Sequence, residues 1–227
     1  MNLQQSLRPH LASSIIALAF ITAAPTAVAS EDWIDLFNGK DLSGWVVLGG
    51  QATYAVVDGA IVGSNGPGHN TDLCTEREFA NFELQIEVKL SDALNSGIQI
   101  RSAARDEILD GNPIKRIHGP QVEIELSPAE AGYLYGERAG GWMTPADKLI
   151  PHSHFKNGEW NRYRIVAEGP RIRTWINDAL ISDLVHDEIY TKYPSGFIGL
   201  QVHQSKGEPG TFKVAWRNIR IRELPAS

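Results

Sequence analysis

The chain has 227 residues, 21 glycines, 12 prolines and a formal net charge of −6. A mildly acidic chain of mixed charges carries no basic face, so nucleic acid is not an expected partner. The only cysteine is Cys74, which excludes an internal disulfide and leaves packing to hold the fold.

Residues 1–29 read as a secretory signal peptide. Arg8 and His10 precede the apolar run Ile15-Ile16-Ala17-Leu18-Ala19-Phe20-Ile21, and Ala27-Val28-Ala29 supplies a small-x-small cleavage site after Ala29. The run is shorter than the roughly 18 residues of a membrane span. The expectation is therefore a periplasmic or secreted protein with no membrane span after cleavage. Residues 31–225 show no internal repeat and no linker, and are read as one domain.

From Glu31 to Trp45, Asn38-Gly39 marks a turn, and Leu36, Phe37, Leu42 and Trp45 look like anchors for the N-terminus. Residues 54–63 form a hairpin turning on Asp58-Gly59. Phe82 to Leu90 alternates apolar and polar throughout, the pattern of a strand with one face in a core. Asn95-Ser96-Gly97 reads as a turn into the strand Ile98 to Ser102. Residues 103–118, charged and irregular, read as a surface loop. Gln121 to Leu126 alternates again, with Val122, Ile124 and Leu126 on one face and Gln121, Glu123 and Glu125 on the other.

A short strand is expected over 132–136, then a glycine-rich rim, Glu137 to Pro145, with Trp142 exposed. Strands follow over 160–168 and 171–177, and the latter pairs through the turn Asn177-Asp178 with residues 179–184. A short helix is expected over Asp183 to Tyr190, and 196–203 and 211–224 complete the strands. Many short strands between Gly-rich turns make an all-β protein, a two-sheet antiparallel β-sandwich of the jelly-roll kind.

Three strands carry polar residues at i, i+2 spacing: Gln99 and Arg101; Gln121, Glu123 and Glu125; Gln201 and His203. If these strands are neighbours, the side chains share one surface. Amides and carboxylates bind hydroxyls with fixed direction, and an Arg fork fixes an oxygen. Tyr135 and Trp142 offer rings to stack on a sugar, Glu137 opens the glycine-rich rim, and Asn95, in its turn, is a further candidate to point into the pocket. The competing reading is an ordinary hydrated strand face, which shows the same alternation. His152-x-His154 has strand-type metal spacing but no third ligand, so a structural role is favoured. Arg162, Arg164, Arg171 and Arg173 read as a solvated hairpin face. No cofactor is indicated. No Asp-rich loop demands a divalent cation, although the sandwich class admits a structural or catalytic one. Oligomeric state is not legible.

Several motifs, in order, resemble the bacterial 3-keto-disaccharide hydrolase family. They are Leu36-Phe37-Asn38-Gly39-Lys40-Asp41-Leu42-Ser43-Gly44-Trp45, Asn95-Ser96-Gly97-Ile98-Gln99-Ile100-Arg101, Gln121-Val122-Glu123-Ile124, Tyr135-Gly136, Gly158-Glu159-Trp160-Asn161, Gly199-Leu200-Gln201-Val202-His203 and Trp216-Arg217-Asn218-Ile219. The resemblance spans residues 33–223. It implies a concanavalin-like jelly roll related in shape to laminarinase-type glucanases, and cleavage of glycosides oxidised to a ketone at C3. Gln121 stands where laminarinase-type enzymes carry a carboxylate, which argues against double displacement. A C3 ketone acidifies the C2 hydrogen, so the expected route is proton abstraction, loss of the C1 substituent and rehydration. On this reading Glu123 and His203 share the base and acid roles, and Arg101 stabilises the enolate. Gln121, Glu125, Gln201, Gln99, Asn95, Tyr135, Glu137 and Trp142 bind a carbohydrate substrate. The alternatives are a non-catalytic carbohydrate-binding module and a conventional β-glucanase.

Overall fold

A computed structural model describes residues 32–91, 94–109, 111–126 and 130–225. The leader expected over residues 1–29 lies outside these. Fifteen strands and two short helical segments follow in chain order. The strands are β1 (Ile34–Asp35), β2 (Trp45–Gly49), β3 (Thr53–Val57), β4 (Ala60–Ser64), β5 (Thr71–Phe79), β6 (Phe82–Leu90), β7 (Ser96–Leu109), β8 (Asn112–Ile124), β9 (Leu134–Glu137) and β10 (Gly141–Trp142). After a 3-10 turn at Ala146–Lys148 come β11 (Asn161–Glu168), β12 (Arg171–Ile176), β13 (Ala179–Val185), α1 (Asp187–Lys192), β14 (Gly196–Val202) and β15 (Lys213–Glu223).

One sheet runs β13-β12-β11-β6-β15-β4-β3, with β1 added to β15; the other runs β10-β9-β8-β7-β14-β5-β2. The chain is thus the expected all-β antiparallel sandwich. Period-two alternation explains the core between the sheets. β6 sends Leu84, Ile86 and Val88 inward, and β7, β8 and β14 answer with Ile98, Ile100, Val122, Ile124, Leu200 and Val202. Each such side chain contributes about 1.5–3 kcal/mol on burial. The N-terminal anchors do as expected, with Phe37 and Trp45 buried and the Trp45 indole donating to the Leu36 carbonyl at 2.7 Å.

Two of the two-residue hairpin turns, Asp58-Gly59 and Asn177-Asp178, have left-handed backbone at both central positions. That matches the right-handed twist of the flanking strands. The helix starts later than expected, at Asp187, because Asp183 continues β13 and is bonded to Arg171. His186 caps it, its ring nitrogen accepting from Ile189 N–H.

Two departures from the sequence reading shape the functional face. Ser96 and Gly97 are strand residues of β7, paired with Ile124 and Glu123, rather than a turn. Residues 103–118 are no loop: β7 and β8 stay paired from Ala103↔His118 to Leu109↔Asn112. Charges that looked irregular pair across this arm, Lys115 with Asp106 at 2.8 Å. The arm bends over the outer face of its own sheet. Ile117 packs on Cys74 and Phe197, and β8 touches β2, four strands away in the sheet order.

Candidate active site

The outer face of the second sheet collects the polar residues that alternation set opposite the core. In register, Gln121 pairs with Gln99 and Tyr135, Glu123 with Gly97, and Gly97 with Gln201; Asp72 lies opposite Gln201. Three of the predicted strand sets therefore do lie side by side. They are not a wet surface, because Gln99 and Gln201 are completely buried and Gln121 and Glu123 nearly so.

The amides spend their hydrogen-bonding capacity on one another. Gln121 Oε1 accepts from Gln99 Nε2 and from Gln201 Nε2, the latter at 2.8 Å. Gln121 Nε2 donates to Glu123 Oε1 at 2.7 Å, and Ser102 Oγ donates to Gln99 Oε1 at 2.9 Å. Gln99, Gln121 and Gln201 therefore hold Glu123 in place rather than offering themselves to a sugar, as the sequence suggested. Gly97 makes the arrangement fit, since a Cβ there would sit 2.3 Å from the Gln121 side-chain carbonyl carbon.

Glu123 is the chemical centre of this row. Burial pushes its carboxyl up to about 8 against the hydrogen bonds from Gln121 and Asn95, and the Glu125 and Glu130 charges add to the rise. Removing a carboxylate from water favours its neutral form. Asn95 Nδ2 donates to both Glu123, at 3.5 Å, and Glu125. At the rim, Trp142 lies across from Tyr135, ring centroids 5.5 Å apart and edge to face, with Trp142 40% exposed. The two rings together form an aromatic ledge beside the glycine-rich turn.

His203 lies just beyond the end of β14, its Nδ1 2.7 Å from the Gln204 carbonyl oxygen. Its charged neighbour is Glu137. Burial raises the Glu137 carboxyl, and Arg138, His203 and Arg116 pull it back. Glu137 in turn acts on Asp72, a carboxyl raised well above the usual range by burial first and by Glu137 second. The face therefore has two acidic centres, Glu123 with its amides and Asp72 with Glu137 and His203.

Arg101 does not join either. The ladder shifts between Gln99 and Ala103, and Arg101 takes a left-handed conformation, φ 49°. A bulge turns side chains away from the face that strict alternation assigns. The Arg101 guanidinium is buried elsewhere, donating to the carbonyls of Ala80 and Gly169 (2.7 Å) and to Asn81 Oδ1 (3.0 Å), with its central carbon 5.2 Å from the Tyr190 ring. It ties the Ala80-Asn81 turn to the Gly169 turn and is no enolate stabiliser.

Sequence reading missed Asp72. The signal was a lone acidic residue in the run Thr71-Asp72-Leu73-Cys74-Thr75, which is buried throughout. His152 is structural, its Nε2 2.9 Å from the Ala131 carbonyl. Among the described residues no group of three or more His, Cys, Asp or Glu could hold a metal ion. A groove of about 660 Å³ lies on the other side of the sandwich, lined among others by Gln85, Arg162, Arg164, Trp175 and Arg220. Its arginines engage neighbours, Arg164 with Glu83 and Arg162 with Asp178, as expected of a solvated face.

Residues 32–222 match the profile of the 3-keto-α-glucoside-1,2-lyase-like domain. The chain belongs to that family. A 3-keto-disaccharide hydrolase from Bacteroides thetaiotaomicron is 25% identical over 239 residues, covering 87% of this chain and 80% of that protein. Among solved structures, a candidate glycosyl hydrolase from Parabacteroides distasonis superposes with a TM-score of 0.56 at 21% identity, over 86% of this chain and 94% of that one. A Bacillus subtilis protein with a galectin-like fold gives 0.58 at 12% identity, over 88% and 98%. The carbohydrate-binding module CBM66 of the same organism gives 0.54 at 13%, over 79% and 96%. At these identities the superpositions establish the jelly-roll fold, while membership of the family places the chain with glycoside-cleaving proteins.

Proposed function

We propose that the protein is exported and cleaves the glycosidic bond of 3-keto-glycosides, such as 3-keto-trehalose or 3-keto-glucosides. The observation that carries the reading is Glu123, a carboxyl raised to about 8 on an amide row beside an aromatic ledge. A carboxyl neutral at pH 7 is a proton donor in waiting. Family membership supports this substrate class.

The steps follow from the ketone. A base takes the C2 proton and leaves an enolate conjugated with C3. The C1–O bond then breaks, its electron pair passing to the leaving oxygen, which takes a proton from Glu123. Water adds across the C1=C2 bond, hydroxyl to C1 and proton to C2, giving the free 3-keto sugar. His203, held beside Glu137, is the base in this scheme, and Tyr135 and Trp142 seat the sugar ring. Each positioned acid or base contributes roughly 10²–10⁴-fold.

The test is an assay on 3-keto-trehalose in deuterium oxide. Deuterium at C2 of the product, together with loss of activity in Glu123→Gln and His203→Ala, is the expected result. Cleavage without C2 deuterium would replace elimination by direct hydrolysis, and full activity in both variants would remove these residues from the mechanism. A second reading rests on Glu123 and Glu125 sharing the Asn95 amide, since two neighbouring carboxyls also serve conventional glycosidases. Release of reducing sugar from an unoxidised β-glucan would favour it. Tight binding of a glycan with no turnover would favour a binding module.

A further inference from the structure

Asp72 and Gln201 face each other across the β14–β5 ladder, both on the outer face of the sheet. Asp72 is 1% exposed and Gln201 0%. Among the described residues, neither Asp72 Oδ1 nor Gln201 Oε1, both buried, has a hydrogen-bond partner. Two orphaned acceptors on directly opposed residues are an anomaly, since nearly all buried polar atoms are satisfied. Opposed side chains in an antiparallel pair stand within reach of each other. One hydrogen between them would satisfy both.

Gln201 cannot supply that hydrogen in the observed arrangement, because its Nε2 is directed at Gln121 Oε1. An ionised Asp72 would put a negative charge beside a carbonyl oxygen. A protonated Asp72 donates its O–H to Gln201 Oε1 and removes both orphans.

We propose that Asp72 carries a proton in the working protein and is a positioning residue that sets the direction of the hydrogen-bond chain ending on Glu123. The chain then runs Asp72 O–H to Gln201 Oε1, Gln201 Nε2–H to Gln121 Oε1, and Gln121 Nε2–H to Glu123 Oε1. Every donor points toward Glu123. Hydrogen bonds in series polarise one another, and donors aimed at a carboxylate stabilise its charged form. Asp72 therefore keeps Glu123 titratable near neutrality where burial alone would carry it higher.

The surroundings of Asp72 agree. On its own strand it has Cys74, whose thiol burial holds neutral. From β3 comes Tyr54, whose hydroxyl donates to the Thr71 and Leu200 carbonyls. From β2 comes Leu48, which carries no charge. From β9 comes Glu137, whose charge favours the protonated form of Asp72. Among the described residues, the one charged group that acts on it is Glu137, and no arginine or lysine does.

The inference rests on Glu123 as the titrating acid of the proposed function, and its test does not need turnover. The carboxyl resonances of the protein labelled with ¹³C-glutamate are titrated from acid to alkaline pH, with Glu123→Gln identifying the Glu123 signal. Asp72→Asn replaces the O–H donor with an N–H donor, and the Glu123 midpoint should stay within half a unit, on the scale where hydrogen bonding moves a pKa by whole units. Asp72→Leu has no donor, and the midpoint should rise by on the order of one unit. Thermal melts of both variants confirm that the fold is kept. Three results would overturn the proposal. A rise in both variants would make Asp72 a matter of packing. A fall in Asp72→Asn would show that a negative charge had been removed, so that Asp72 was ionised. No change in either would cut Asp72 from the chain. If the midpoints move as expected while no 3-keto-glycoside is cleaved, the proposed function fails and the chain stands.

Discussion

Replacing Glu123 by Gln should make the protein more stable and less active, and the stability gain should depend on pH in one direction. The Glu123 carboxyl titrates near 8 in the fold against 4.5 for an ordinary glutamate. Below pH 4.5 the group is neutral in both states and contributes no bias. Between 4.5 and 8 the unfolded chain ionises and the folded one does not, so wild-type stability falls as pH rises through this window. A separation of 3.5 units corresponds to about 5 kcal/mol at 1.36 kcal/mol per unit. Water entering the site on ionisation relieves part of that, leaving about 2–3 kcal/mol. Gln cannot ionise, keeps an acceptor for Gln121 Nε2 and fills the same volume. The expected result is a melting temperature equal to wild type at about pH 4 and higher by roughly 5–10 °C at about pH 8. Turnover of a 3-keto-glycoside should fall by roughly 10²–10⁴-fold. Melting curves at half-unit pH steps, followed by an activity assay, decide it. A gain that is flat with pH, or a loss of stability at pH 8, would refute the reasoning, because either would mean that Glu123 is charged and well solvated in the fold.

Three further outcomes follow from named contacts. Arg101→Met leaves the Ala80 and Gly169 carbonyls without the Arg101 donor and takes one of two donors from Asn81 Oδ1, which keeps the Gly169 N–H. It should cost about 2–4 kcal/mol in urea unfolding while kcat/KM of the folded fraction stays within a fewfold; an inactive but fully stable variant would contradict its placement. Gly97→Ala puts a methyl 2.3 Å from the Gln121 side chain and should cost about 1–3 kcal/mol, with kcat falling as the amide row is displaced. Equal stability and rate would show that Gln121 has room to move. Trp142→Ala removes the outer ring of the ledge and should raise KM about tenfold with little change in kcat, as expected for the loss of a 1–1.5 kcal/mol ring contact; an unchanged KM would take the ledge out of substrate binding.

Alternation was enough to assign the sheets, because Phe82 to Leu90 and Gln121 to Ile124 have only one way to present an apolar face inward. It was also enough to bring Glu123, Gln121, Gln99 and Gln201 onto one surface. It could not show that this surface is dry, because alternation reads the same on a buried polar face as on a wet one, and the charges of residues 103–118 look like those of a loop until they are seen paired across an arm. Arg101 was misplaced for a related reason. The i, i+2 rule assumes an unbroken pleat, and nothing in Gln99-Ile100-Arg101-Ser102 marks a bulge, because Arg rather than Gly takes the left-handed position. His203 sits one residue past its strand, where the rule no longer fixes direction. Asp72 escaped because Thr71 to Thr75 is buried on both faces and has no alternation to interrupt.

The bent arm also gives the protein a built-in chemical clock. Cys74 is the only cysteine in the chain and its thiol is free. It lies against Ile117 of the arm and Phe197 of the sheet, 1% exposed. A reagent that alkylates thiols can reach this sulfur only when the arm lifts or the domain unfolds, so the labelling rate counts openings directly. If labelling tracks global unfolding across denaturant concentrations, the arm and the sandwich form one cooperative unit. If it outruns unfolding, the arm is a separate, weaker unit, and the seclusion of Cys74 is a fluctuating property rather than a fixed one.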